Sequence, residues 1–203
     1  MACVQGSLYG SCGRLWLVSV VTVWCCLLPK LARAFGDDGA FHPRVLLVGN
    51  AQFKGLRATA PGRWAWELTR RTSAPARLAP TSVRADANAL LNEPFAYWLG
   101  AKDVGALTSR EVVNLQKFFA LGGVLLVDDT DPEKGLFEKS ARREIARILP
   151  DTTPVPIGVD HVIFRSFYLL PRAFGRVQGP KRLEAIIRNG QTQVIFSSHD
   201  IAV

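Results

Sequence analysis

Carboxylates and imidazoles gather at three places in this 203-residue chain. Asp128 and Asp129 stand side by side after the apolar run at residues 124–127. Two acids at the end of a strand can converge on one site, holding a hard cation or letting one carboxylate act as a general base. Such a cation takes several oxygen ligands, and no third carboxylate stands at ligand spacing, so Asp128 and Asp129 alone do not make a metal site. The plainer expectation is that one acid caps the following segment and the other is solvated. Asp160 precedes His161 and His199 precedes Asp200, and these are two of the three histidines. An imidazole beside an Asp suits a base oriented by a carboxylate. A His in a His-Val-Ile-Phe context is as readily a structural residue bonded to backbone. Ser197 and Ser198 precede His199, but no G-x-S-x-G elbow surrounds them. G-x-G-x-x-G, Walker and H-E-x-x-H motifs are missing, so no cofactor is expected, and a divalent cation is the one group the Asp pair could take.

The elements that must position these residues alternate between strand and helix. Residues 45–48 form a continuous branched run ending at Gly49-Asn50, the pattern of a strand buried on both faces. Residues 64–71 follow as an amphipathic helix with Trp64 and Leu68 on one face, and 95–99 is a second buried strand closed by Gly100. Whether a strand or turn lies near 77–81 the pattern leaves open. Thr108 reads as an N-cap with Glu111 as its capping-box partner, Val112, Leu115, Phe118 and Phe119 follow at helical spacing, and Gly122-Gly123 ends the helix. The strand at 124–127 comes next, then an amphipathic helix over 138–149 ended by Pro150. Strands at 183–188 and 193–196 flank Asn189-Gly190, a hairpin turn. The aromatics Phe95, Tyr97, Trp98, Phe118 and Phe119 read as core. The whole predicts an α/β layered fold with a mainly parallel sheet covered by helices. In such sheets ligands bind beyond the carboxyl ends of the strands, which points to Asn50, Gln52, Gly100, Lys102, Asp128, Asp129, Ser198, His199 and Asp200, with Asp160 and His161 on a loop. The chain ends three residues after Asp200 with no helix to cover its last strand, which reads as a truncation or a layer supplied by a partner.

All four cysteines, Cys3, Cys12, Cys25 and Cys26, fall near the start, around an apolar run at residues 15–28 that follows Arg14 and precedes Ala32-Arg33-Ala34. This is the anatomy of a secretory signal peptide cut before Phe35; the run is short for a bilayer span, and the alternative is an uncleaved anchor. The organisation expected is a signal peptide at 1–34, a flexible lead at 35–43 and one domain at 44–203. Losing Arg14, Lys30 and Arg33 reduces the formal charge from +8 to +5. With the remaining charges dispersed, nucleic acid is not an expected partner. The protein is expected in the periplasm or cell envelope, touching membrane only through its N-terminal segment if that stays uncleaved.

Several segments together resemble the bacterial family called domain of unknown function 4159: Phe95 to Gly100, Leu107 to Asp129, Asp160 to Phe164 with Phe167-Tyr168, and Ser198-His199-Asp200. The family is similar to the class I glutamine amidotransferase-like fold, a flavodoxin-like sheet also used by trehalose-utilisation-like proteins. That resemblance implies a three-layer sheet, and it places the amidotransferase nucleophile, a Cys, just after the strand at 124–127. Here Asp128 stands at that point and no Cys follows residue 26, so glutaminase activity is not expected. The family pattern has Pro after the His of the Asp-His pair, where this chain has Val162, and its members continue beyond Ser-His-Asp with further helical sequence.

The leading expectation is a non-enzymatic binding or interaction module of the cell envelope, taking a small polar ligand or an envelope partner in a pocket of Asn50, Asp128, Asp129, Asp160, His161, Ser198, His199 and Asp200. The rival is a hydrolase of a carbohydrate or peptidoglycan fragment working through Asp128 or Asp129 and His161 or His199. A third reading is a structural subunit with plugged strand ends and an apolar patch near residues 201–203.

Overall fold

The computed structural model describes residues 39–166, 168–180 and 182–201; the expected signal peptide at 1–34 lies outside them. Seven strands form one sheet: β1 (Arg44–Leu47), β2 (Thr81–Arg84), β3 (Phe95–Gly100), β4 (Val124–Asp129), β5 (Val155–Ile157), β6 (Leu183–Arg188) and β7 (Gln191–Ser197). Their order is β2-β1-β3-β4-β7-β6-β5. The pairs from β2 to β7 are parallel, and β6 and β5 add an antiparallel edge. This is an α/β, mostly parallel sheet flanked by helices, consistent with a flavodoxin-like fold.

Adjacent residues on the buried strands feed two separate cores, as the strand period of two requires. Leu46, Trp98, Leu125, Val127, Val194 and Phe196 pack on one face against α2 (Ser109–Ala120) and α3 (Leu136–Ile148). Val45, Tyr97, Leu126, Ile157, Ala185 and Ile195 pack on the other. That second face is covered by α1 (Ala60–Thr72) and, over β6 and β7, by a short 3-10 turn at Val162–Phe164 whose Phe164 is buried. Among the described residues, that part of the second face is covered by loop and not by helix.

The hairpin turn forms as expected, with Asn189 and Gly190 both at positive φ, 52° and 75°. The open question near 77–81 resolves as β2, one step later in sequence. Only Val83 of β2 is buried, so this edge strand carries no apolar run to announce it. β5 includes Pro156, which an edge position tolerates.

The start of α2 is tied to the start of the cleft described below. Thr108 accepts the Glu111 amide, and Glu111 Oε2 accepts from the Thr108 amide at 2.8 Å, a complete capping box. Glu111 Oε1 accepts the Gly49 amide at 2.7 Å, so one buried carboxylate fixes both the helix terminus and the turn after β1. Loss of the Thr108 cap, T108A, is expected to cost about 1 kcal/mol. E111A keeps the backbone amide that Thr108 accepts but strands the Gly49 and Thr108 amides, for about 2–3 kcal/mol. Urea midpoints of the two variants check the order.

Candidate functional site

At the carboxyl ends of β4 and β7 the polar residues are locked to one another. Asp128 is fully buried. Its Oδ2 accepts from the Tyr97 hydroxyl at 2.9 Å and from the Ile201 amide at 2.8 Å. Its Oδ1 has no partner at hydrogen-bond geometry, although the Ser197 hydroxyl lies near enough to favour the ionised form. Burial outweighs these contacts, and the neighbouring Asp200 adds to it, so the Asp128 carboxyl is pushed up to about 6. Burial first, then Asp128, also raises the Tyr97 phenol, which remains a neutral donor.

Asp200 is equally buried but ionised. Its backbone is left-handed, φ 53°. Its carboxylate is gripped by both terminal nitrogens of Arg57, one at 2.8 Å, and by Arg176 Nε at 2.6 Å. Burial alone would raise this carboxyl, but the two guanidinium groups outweigh it and hold it below the usual carboxylate range. Arg176 also donates to the Thr130 carbonyl at 3.3 Å.

His199 lies against Asp200 in sequence but is closed off by a loop. Its Nε2 meets the Pro180 carbonyl at 2.9 Å, its carbonyl accepts the Val177 amide at 3.0 Å, and it is only 2% exposed. The loop lies so close that a Cβ on Gly175 would sit 2.1 Å from the His199 carbonyl oxygen. Burial lowers the imidazole pKa against the opposing hydrogen bond to Pro180.

The other predicted site residues are elsewhere. Asp129 accepts the Asp131 amide at 2.8 Å and the Glu138 amide at 3.1 Å. It caps the start of α3, as the plainer reading of the pair requires, whereas Asp128 is buried and not solvated. The two side chains leave opposite faces of β4, because neighbours on a strand alternate. Ser198 donates to Glu138 Oε2 at 3.1 Å beside a cavity of about 340 Å³ that His199 also lines. His161 Nδ1 accepts the Ile163 amide at 3.3 Å and its Nε2 meets the Thr192 hydroxyl at 3.2 Å. Thr192 precedes Ser197 by five positions on β7, so His161 is about 16 Å along the sheet from Asp128. Asp160 is exposed beside it. The eight residues expected to share one pocket therefore do not. Asp128 and Asp200 are buried among their own partners, Ser198 and His199 line the smaller cavity, Asp129 is a helix cap, Asp160 and His161 are remote, and Asn50 alone opens onto the large cleft. Among the described residues no group of three or more His, Cys, Asp or Glu could hold a metal ion.

That cleft, about 760 Å³, lies beyond β1 and β3, where successive crossovers run to opposite sides. Its walls are Phe53, Leu99 and Phe137, and its polar groups are Asn50, Gln52, Lys54, Arg57, Lys102, Asp103 and Thr130. Lys54 and Lys102 are exposed and make no ion pair among the described residues, whereas Asp103 meets Arg143 at 3.4 Å. Asn50, Gln52 and Lys102 were legible as strand-end residues. Lys54 and Arg57 sit further along the loop after β1, where nothing in the pattern marks them, and Tyr97 was read only as core.

Fold and cleft together define an α/β protein with a ligand-sized crevice at the switch point of its sheet. Residues 48–203 match the family described as a domain of unknown function, DUF4159, and the chain belongs to that family. No curated protein matches the sequence.

The raised Asp128 carboxyl sets a pH dependence. A folded-state pKa near 6, above the unfolded 3.8, means the fold holds this proton more tightly than the unfolded chain. This contribution to stability is full below about pH 4, falls as pH rises to about 6, and stays lost above; two pKa units correspond to about 3 kcal/mol. D128N abolishes that decline. Urea unfolding of both proteins from pH 4 to 7 should show the wild type losing ground to D128N across this window, and parallel curves contradict the assignment.

Proposed function

We propose that the chain is an exported, non-enzymatic binding module that takes a small anionic polar molecule in the cleft between the ends of β1 and β3. The observation that carries this reading is the pairing of apolar walls with unpaired Lys54 and Lys102, next to the amide side chains of Asn50 and Gln52. Small-molecule sites have this make-up, a mostly apolar concavity with a few polar groups that fix orientation. The volume suits a ligand of sugar-phosphate or nucleotide size.

An amidotransferase-like fold is supported by the strand order and by the family. Loss of glutaminase chemistry follows from Asp128 at the nucleophile position, since that carboxyl is buried against Tyr97 and Ile201 and does not line the cleft. Hydrolysis of a carbohydrate or peptidoglycan fragment through Asp128 or Asp129 and His161 or His199 would need these groups around one cavity; they serve separate structural contacts instead. Export to the periplasm or cell envelope is part of this proposal, and what supports it is the apolar run at 15–28 with the small residues Ala32 and Ala34.

Thermal unfolding of the full-length chain against phosphorylated and carboxylated sugars and nucleotides tests the reading. A binder at a hundredfold its Kd should raise Tm by about 5 °C or more, and K54A/K102A should lose the shift while keeping its own Tm. No shift with any compound, or an equal shift in the double variant, refutes it.

A further inference from the structure

The second face of the molecule carries an unusual surface. On α1, Trp66 is 49% exposed and Arg63 and Arg70 share its outward side, with the Arg70 guanidinium 5.7 Å from the Trp66 ring. On the loop that replaces a covering helix, Tyr168, Leu169, Leu170 and Phe174 are 50%, 79%, 40% and 53% exposed. Arg165 is exposed there, and the Arg172 guanidinium lies 4.9 Å from the Phe174 ring. Helix and loop are one surface, because Tyr168 lies against the Arg71 side chain.

We infer that this face, Trp66 of α1 with loop residues 165–166 and 168–174, is a peripheral docking surface for an anionic lipid bilayer. Its charge selects the occupant. Arg63, Arg70, Arg165 and Arg172 make no ion pair among the described residues, whereas of the two acids nearby Glu67 is paired with Arg71, leaving Asp160 at the loop's start. Arginines interleaved with Trp, Tyr, Phe and Leu match the layered chemistry of an interface, in which apolar groups enter the acyl boundary and guanidinium groups meet headgroup phosphates.

Among the described residues no helix is long and apolar enough to cross a membrane.

Residues 1–38 could hold the full chain on any vesicle, so the test reads preference and local contact, not bare binding. Full-length protein is titrated with vesicles of phosphatidylglycerol mixed with phosphatidylcholine and with phosphatidylcholine alone. An affinity ratio of at least about tenfold is expected, since each basic residue near an anionic surface contributes roughly fivefold. R63Q/R70Q/R165Q/R172Q, all at surface positions outside the cleft, should bring the ratio near one with an unchanged Tm. Brominated phosphatidylglycerol should quench the emission that distinguishes wild type from W66F. A ratio near one in the wild type, a ratio unmoved by the quadruple variant, or an unquenched Trp66, as when a second copy or another protein covers this face, overturns the inference.

Discussion

A carboxylate with no exposed surface, Asp200, sits between two guanidinium groups, and the carboxyl end of the sheet is organised around it. A buried charge is tolerated only when paired and hydrogen-bonded. Arg57 comes from the turn before α1 and Arg176 from the loop before β6. Two distant stretches of chain are thereby drawn to the end of β7. Arg176 extends the tie to the Thr130 carbonyl after β4. Breaking one partner would leave a buried charge uncompensated, so the residues around it are held as a unit. Asp128 is the counterpart: buried, short of donors for one oxygen and next to an anion that must stay ionised, its carboxyl keeps its proton to higher pH.

This lock divides the strand ends into two halves with different fates. Over β4 and β7 the ends are closed by the 175–180 loop, which lies directly on His199. Over β1 and β3 no described segment intrudes in the same way, and a cleft remains among the described residues. Arg57 belongs to both halves: it lines the cleft and holds Asp200. The cleft's positive character rests on that arginine together with Lys54 and Lys102, and its floor is set by Glu111, which fixes the turn after β1.

Much of the fold was legible because local rules and tertiary demands agree. Thr108 and Glu111 announce α2, Asn189-Gly190 announces the last hairpin, and the branched runs at 45–48 and 124–127 announce strands buried on both faces. β2 was not legible, because an edge strand with one buried residue has no apolar pattern. The site was legible only in outline. The rule that ligands gather at strand ends points to the end of the sheet where the cleft lies, but chemistry-bearing side chains there serve two purposes, and sequence does not separate them. Asp128 and Asp129 are neighbours in sequence yet point to opposite faces, one to Tyr97 and one to the start of α3. His161 follows a strand at the same sheet edge, but its loop crosses the face and ends beside Thr192. The residues that do open onto solvent, Lys54 and Lys102, are common surface types whose importance comes only from the concavity behind them.

In the proposed reading the cleft beyond β1 and β3 receives ligand while the Asp128–Asp200 cluster is structural. Backbone amide NMR of the isotopically labelled chain, titrated with a compound that raises its Tm, separates the two. Shifts at residues 50–54 and 100–103 that saturate with the ligand are expected, with residues 197–200 unmoved. Saturating shifts centred on Asp128 and residues 198–200, with the cleft silent, would contradict that reading.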